Sequence, residues 1–500
     1  MKIKPKICDL HLGESYGENE IKHLDNFKEF YYDINDAKSR ILNNKKYVVV
    51  GRKGTGKTLL ANVVTESLRK TYSISVVESL KDFVFHELTY FQNSDVSPTK
   101  YVPIFEWMIY VNIAKNIVQK PSKFSKTRID VLSKFLKYFG HISGDLKPEK
   151  TIEMTRKYQD DISGSLKLFD FGVSAKTGSE KTEKQGVRSY LENIENLKSY
   201  VTKTILENSN SSIIFYDELD DKFSDTTEYK SGIVSFISAI EKVNSHFFSN
   251  KLSVKLCAVI RSDIVSKLNS PNLNRIFEDN AIFLNWDAAQ AQDTELFDML
   301  AHKIKKSSSY YKDKDTESVF KELIPEYISG EYFKVYILHR TLGRPRDIIR
   351  MLTFIQDEYG KNLNRFEGNT FSSTSKKYSS YLKREIKSEL IGHVSDQDLE
   401  RYFQFLTSIG KRAFTYNVAI QKNDTYCVFE SERDVKKMLV DLFKAGAIAN
   451  VVRRSKREGG NVYYWSYNDE DFSANLDMDF EIHPGLWDTL QIPKPKNRLN

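Results

Sequence analysis

Gly51-Arg52-Lys53-Gly54-Thr55-Gly56-Lys57-Thr58 places three glycines, a lysine and a hydroxyl at the spacing G-x-x-x-x-G-K-[ST]. Those residue types at that spacing suit phosphate binding. Glycines admit positive φ and let backbone N–H groups approach phosphate oxygens closely. A helix starting near Lys57 would add the positive end of its dipole. Lys57 is expected to reach the β- and γ-phosphates of a nucleoside triphosphate, and Thr58 to ligate Mg²⁺ through its hydroxyl. Arg52 and Thr55 complete the loop, and Lys53 has no fixed role. A chance turn of this composition would not be expected between an apolar strand and a helix.

Ile213-Ile214-Phe215-Tyr216-Asp217-Glu218 is an apolar run ending in two carboxylates. Behind a phosphate loop, Asp217 is expected to hold Mg²⁺ and Glu218 to polarise an attacking water. Neighbouring residues at a strand end point in different directions, so the two roles are compatible. On its own such a run is as often an ordinary strand end. Asp220 and Asp221 either add negative potential or open a solvated helix. Glu218 favours hydrolysis over phosphoryl transfer to a small acceptor, which sets a P-loop kinase third among the alternatives. No Asn-Lys-x-Asp guanine reader follows, so ATP is preferred to GTP.

Three arginines are candidate catalytic supports. Arg261 follows an apolar strand, where a cation would sense a γ-phosphate or pair with Asp263. Arg275 lies before the next strand, either as a finger into a neighbouring subunit's nucleotide or as a plain helix-end cation. Arg346 falls in the first turn of a helix after Gly343-Arg344-Pro345. A cation there is unfavourable to the dipole unless an anion is near, and a γ-phosphate or Asp347 would serve.

The elements that must position these residues alternate. Strands are predicted at 47–50, 74–77, 212–216, 254–260 and 281–284, with helices between them, including 59–64 and 231–243. Alternation of this kind predicts an α/β fold with a parallel sheet. The stretch from about 95 to 190, with helical patterns at 101–118 and 128–139 and a polar piece at 174–186, is an insertion. After 287 the pattern is helical to about 359. A polar linker is expected at 362–378, then a last unit. The expected domains are a lead segment 1–36, a P-loop core 37–290, a helical lid 291–372 and a winged-helix unit 379–492. In that unit helices are predicted at 381–391, 396–407 and 432–445, with strands at 413–420, 448–452 and 462–465. The basic tip 453–457 between the last two strands would suit a wing touching DNA phosphates. A solvated hairpin tip explains it as well. Asp434 and Asp441 beside Lys436 and Lys437 weaken the candidate recognition helix, Tyr463, Tyr464, Trp465 and Tyr467 suit a core, and His483 suits a structural role.

Composition bounds the rest. Forty per cent hydrophobic and 29% charged residues describe a foldable chain of 500 residues, long enough for several cores. A net charge of +7, from 75 Lys+Arg and 68 Asp+Glu, permits nucleic-acid binding without arguing for it. No apolar stretch reaches the roughly 18 residues of a membrane span, and no secretory h-region follows the N-terminus. Cys8, Cys257 and Cys427 are too scattered for a disulfide framework or a metal site, which fits a cytoplasmic protein.

Taken together, Gly51 to Thr58, Asp217-Glu218-Leu219-Asp220-Asp221, Val259-Ile260-Arg261-Ser262-Asp263, Gly343-Arg344-Pro345-Arg346-Asp347 and Ile482-His483-Pro484-Gly485-Leu486 resemble a STAND or AAA+-type ATPase. The plan is related to origin-recognition ATPases, and the match extends to a bacterial FunZ-like P-loop family; 95–190 is poorly matched. The resemblance implies an ASCE-type core, a helical lid and a C-terminal winged helix, with an arginine at the first sensor. It implies an ATP- and Mg²⁺-dependent conformational switch that assembles as a homo-oligomer or engages a protein partner, in signalling or anti-phage defence. The alternative is a DNA-bound ATPase using the winged helix.

Overall fold

A computed structural model describes residues 3–493, apart from 44, 84–87, 89–98, 140, 142–149, 152–154, 156–189, 209–210, 220–224, 269, 287–293, 456, 458–459 and 470–471. The chain forms two compact units. One comprises Lys38–Gly51 and Ala61–Phe283; the other comprises Met1–Ala37, Arg52–Leu60 and Leu284–Asn500.

The first of these is the sheet unit. Its strands are β1 (Val48–Gly51), β2 (Ile74–Ser79), β3 (Ser212–Asp217), β4 (Val254–Arg261) and β5 (Ala281–Phe283). They pair in the order β2-β3-β4-β1-β5, all parallel. The fold is therefore α/β with a parallel core. All four residues of β1 and all six of β3 are buried, which is why both read as unbroken apolar runs. Helices α1 (Lys57–Leu68), α2 (Val102–Val118), α3 (Lys126–Tyr138), α4 (Tyr190–Asn208), α5 (Thr227–Ser249) and α6 (Pro271–Asn280) accompany the strands. Helix α2 is enclosed on nearly every side, packing on α3, α4 and α5, and even its Glu106, Asn112, Lys115 and Asn116 are buried. The polar piece at 174–186 lies outside the described residues.

β4 separates β1 from β3, and parallel pairing sets their C-terminal ends along one edge. Gly51 is level with Arg261, and Ser79 with Asp217. That edge is where an open α/β sheet offers its ligand crevice.

The other unit is mainly helical: α7 (Glu295–Ser307), α8 (Thr316–Leu323), α9 (Phe333–His339), α10 (Pro345–Tyr359), α11 (Gly368–Leu390), α12 (Asp396–Ile409), α13 (Tyr416–Tyr426) and α14 (Glu432–Lys444). Three expectations fail here. The stretch after 287 is not wholly helical, since β6 (Tyr327–Ile328) and β7 (Glu331–Tyr332) form a small hairpin. The polar linker expected at 362–378 is mostly the first half of α11, so a boundary between 372 and 379 cuts a continuous 23-residue helix. Its Ser and Thr residues hid the pattern. Phe371, Tyr378 and Leu382 still fall on one buried stripe. The strand expected at 413–420 is a two-residue strand, β8 (Ala413–Phe414), followed by α13, which Thr415 caps through its hydroxyl.

β9 (Ile448–Val452), β10 (Val462–Tyr464) and β11 (Asp479–Ile482) join β8 in an antiparallel sheet of order β10-β9-β11-β8. Strand β11 carries no long apolar run and was not expected. Its Phe480 and Ile482 are fully buried. Helices α12, α13 and α14 precede the β9–β10 hairpin, whose tip holds the basic residues.

Candidate nucleotide-phosphate site

The loop leaving β1 turns on glycines with positive φ, +85° at Gly54 and +98° at Gly56. A side chain at either would be strained, and the two glycines face different surroundings. Among the described residues a Cβ at Gly56 would meet nothing within 4 Å, whereas one at Gly54 would press on Arg346 at 3.1–3.2 Å. The Thr55 N–H and hydroxyl both donate to the Arg52 carbonyl, at 3.3 and 2.8 Å, and the Lys57 ammonium donates to the same oxygen at 3.0 Å. Trp286 Nε1 holds the Thr55 carbonyl at 3.0 Å. Lys57 and Thr58 open α1, a helix of 12 residues. The loop is thus tied from within, with an open face at Gly56 and the first amides of a helix beside it. This donor set fits a phosphate group.

Around the loop lies a group of side chains that sequence reasoning only partly found. Arg346, in the first turn of α10, donates from Nε to the Ser15 carbonyl at 2.8 Å and from Nη1 to Glu385 at 3.0 Å, with Tyr16 beneath its guanidinium at 4.5 Å. The anion beside this cation is a glutamate from α11, a partner not anticipated. Arg344, to which sequence reasoning assigns no role, is the more enclosed of the two at 1% exposure. Its Nε donates to Asp347 at 2.7 Å and its Nη1 to the Lys53 carbonyl at 2.8 Å and to Glu389. Arg52 pairs with Glu389 at 3.2 Å, and Lys53 donates to Ser388 at 2.5 Å. A signal existed: Glu385, Ser388 and Glu389 stand at i, i+3 and i+4, one face of a helix. The supposed linker before them hid that helix. Tyr16 carried no signal at all.

The acid edge belongs to the sheet unit. Asp217 ends β3, only 4% exposed, and its Oδ1 accepts the Glu218 N–H at 2.8 Å. Glu218 has φ +65°, a left-handed backbone that is uncommon for a glutamate. Its Oε2 accepts the Ser79 hydroxyl at 2.5 Å, so the end of β2 holds the carboxylate in place. Strain of about 1–3 kcal/mol, over-determined by neighbours, is typical of functional positions. Behind them Tyr216 donates to Asn112 at 3.0 Å and Asn116 donates to Glu78 at 2.9 Å, a buried polar layer from α2. Burial raises the Glu78 carboxyl above its usual range. Arg261 ends β4 between the Gly51 and Asp217 strands and meets Asp263 through Nε at 3.0 Å and Nη2 at 2.6 Å. Asp220 and Asp221 lie outside the described residues.

Arg275 stands apart from that edge. It is on α6, 62% exposed, paired with Glu241 and bonded to Asn272 at 3.2 Å. Both charges act on Tyr47, which precedes β1 at the opposite end of the strands. It is therefore not grouped with Gly51, Asp217 and Arg261 within one chain.

On the hairpin tip, Arg453 is engaged by Asp479 at 3.1 Å and Glu481 at 3.5 Å. Arg454 and Arg457 are exposed, and Lys456 lies outside the described residues. His483 is fully buried: its Nδ1 accepts the Gly485 N–H at 3.1 Å and its Nε2 lies 3.2 Å from the Thr341 carbonyl. A separate cavity of about 450 Å³ is lined by Arg340, Arg412, Tyr463, Trp465 and Trp487 among others, and Glu331 and Glu481 also border it. Its charges are answered internally, Arg340 by Glu331 and Glu481 by Arg453. Among the described residues no helix is long and apolar enough to cross a membrane.

Solved structures give low-scoring similarities. The Aeropyrum pernix ORC1 protein in complex with DNA is 12% identical with a TM-score of 0.36, covering 94% of this chain and 96% of that one. Pyrobaculum aerophilum CDC6P is 11% identical at 0.32 (96% and 95% covered). The Thermotoga maritima RUVB Holliday junction branch migration motor is 14% identical at 0.29 (96% and 95%). Scores of this size carry no argument, and the α/β assignment rests on the strands themselves. No curated protein matches the sequence. Residues 294–387, from the start of α7 to near the end of α11, match the family model of the FunZ-associated C-terminal helical domain.

Proposed function

We propose that the chain is an ATPase that binds ATP with Mg²⁺ at the Gly51–Thr58 loop and hydrolyses it. The observation that carries this is the loop itself: positive-φ glycines between a buried strand and a 12-residue helix, with open space in front of Gly56. In this reading the loop amides and the Lys57 ammonium hold the phosphates. Thr58 and Asp217 are the proposed Mg²⁺ ligands. Mg²⁺ usually keeps several waters and takes phosphate oxygens beside one or two protein ligands, so phosphate and water would complete its shell. Mg²⁺ supplies charge neutralisation on the phosphates when bound. Glu218, held by Ser79, orients and deprotonates the attacking water. Arg261 and Arg346 sense the terminal phosphate, and Arg275 acts, if on any nucleotide, on that of a neighbouring copy in a homo-oligomer.

Hydrolysis would drive a conformational switch through the helical unit, engaging a protein partner; signalling or anti-phage defence is the setting suggested by the resemblance. A second reading, a DNA-bound ATPase, is favoured by one observation. Arg454 and Arg457 stand exposed on a hairpin that comes after three helices, as the wing of a winged helix would.

The test separates binding from chemistry. Lys57→Ala should weaken ATP binding by roughly 100-fold or more, while Glu218→Gln should bind as the unaltered chain does and hydrolyse roughly 100-fold more slowly. Wild-type turnover in Glu218→Gln would remove that residue from its assigned role.

A further inference from the structure

The cations gathered round the loop are not waiting in water. Arg52 and Arg344 share the Glu389 carboxylate, Arg346 holds Glu385, and Lys53 holds Ser388. Arg344 adds a bond to the Lys53 carbonyl, so the loop backbone is drawn into the same cluster. Tyr16 donates to Glu385 at 3.3 Å from the lead segment. The two carboxylates are 7% and 11% exposed, and charges so enclosed attract far more strongly than surface pairs.

These three α11 contacts come from its last six residues. Glu385, Ser388 and Glu389 share a helix face, so they engage or release as one body. Helix α11 runs unbroken from Gly368 to Leu390, and α12 begins only a few residues later, at Asp396. Lys387, in the same stretch of α11, pairs with Glu400 and lies over Phe403 of α12, a route by which a change there would reach α12. Arg344 has one more telling feature. It is buried, and its Nη2, with no hydrogen bond among the described residues, makes a looser ion pair with Glu385 at 3.7 Å.

We propose that Glu385 and Glu389 form an acidic latch on the phosphate loop, and that a nucleoside triphosphate and the end of α11 compete for the same arginines. This rests on the triphosphate reading above. It adds how the nucleotide would move the C-terminal part of the chain. The triphosphate presents several anionic oxygens to the same guanidiniums at once, so it takes Arg52 and Arg346 from the two carboxylates, and the end of α11 loses its hold on the loop. The latch thus sets the affinity for nucleotide and is opened by it, a reciprocal coupling.

Binding of Mg·ATPγS to the full chain, unaltered and carrying Glu385→Gln with Glu389→Gln, tests this by calorimetry. The expected result is binding roughly 10-fold or more tighter in the double variant, since glutamine keeps the shape and removes the competing charge. Binding by the unaltered chain with equal or weaker binding by the variant overturns the latch and leaves the triphosphate reading standing. If neither protein binds, the triphosphate reading fails and the latch with it. A second measurement needs no substitution: amide exchange at 385–390 should speed up when the unaltered chain is saturated with Mg·ATPγS. Unchanged or slower exchange there overturns the latch even if the variant misfolds.

Discussion

Two regions collect positive charge in short runs, and the structure treats them in opposite ways. Around the phosphate loop, Arg52, Arg344 and Arg346 are 19%, 1% and 11% exposed, and each meets a carboxylate. On the β9–β10 hairpin, Arg453 is 44% exposed while Arg454 and Arg457 are open to solvent. A buried guanidinium must be paired, so its position is fixed by the fold and by an anion of matching geometry. A surface cation costs almost nothing wherever it points. Charge in a sequence therefore becomes a specific site only where burial forces a partner. By that measure the charge around the loop is built into the fold and the charge at the hairpin tip is not.

The comparison breaks most sharply at Arg344. Replacing it with alanine strands Asp347, which is fully buried, and removes the Lys53 tether. Loss of one partner of a buried pair costs about 3–5 kcal/mol, so Arg344→Ala should lower the urea midpoint steeply. Arg454→Ala, by contrast, should leave the midpoint unchanged within error. Equal effects from the two would erase the distinction between built and solvated charge.

The same contrast explains what the sequence could disclose. The five parallel strands were legible because buried strands must be apolar and short, and the glycine loop because its spacing puts residues free to take positive φ at Gly54 and Gly56. Arg346 was legible from its place in a helix start. Glu385 and Glu389 were not, because the first half of α11 is rich in Ser and Thr and looks like a linker until its buried stripe is seen. Ser79 and Tyr16 act across long chain separations, to Glu218 and Glu385, and pairings at such distance leave no local trace. Strand β11 was missed for a related reason. Its buried Phe480 and Ile482 alternate with Asp479 and an enclosed Glu481, both of which pair with Arg453, so the run reads as half charged.

A smaller effect tests the histidine that joins these regions. His483 ends β11 and bonds the Thr341 carbonyl, just before the Gly343–Arg346 turn. Burial pushes its pKa down to about 3, opposed only by that carbonyl. The unfolded chain takes up the proton near pH 6.5 and the folded chain does not, so stability is intact above that value and falls as pH drops toward 3. The expected slope is at most about 1.4 kcal/mol per pH unit from this one group. His141 is shifted in the same direction to about 3 and adds a slope of like sign. Thermal melts at pH 7 and pH 5 should therefore differ more for the unaltered chain than for His483→Gln. An identical difference in both would mean that His483 is not held neutral.

The least effect is expected at the hairpin tip, and it decides whether exposed charge there has a purpose. If the winged-helix reading holds, Arg454 and Arg457 contact duplex phosphates, and each contact contributes about 0.9 to the slope of log affinity against log salt. Replacing both with alanine should flatten that slope by roughly 2 and weaken binding alike for unrelated sequences. Arg453→Ala should barely change the slope, because its guanidinium already serves Asp479 and Glu481. Filter binding across a salt series on all three proteins separates the cases. A large loss from Arg453→Ala would mean that the acid pair releases it to DNA. No measurable binding by the unaltered chain would leave the tip as a solvated turn, and the built site at the loop would then stand alone.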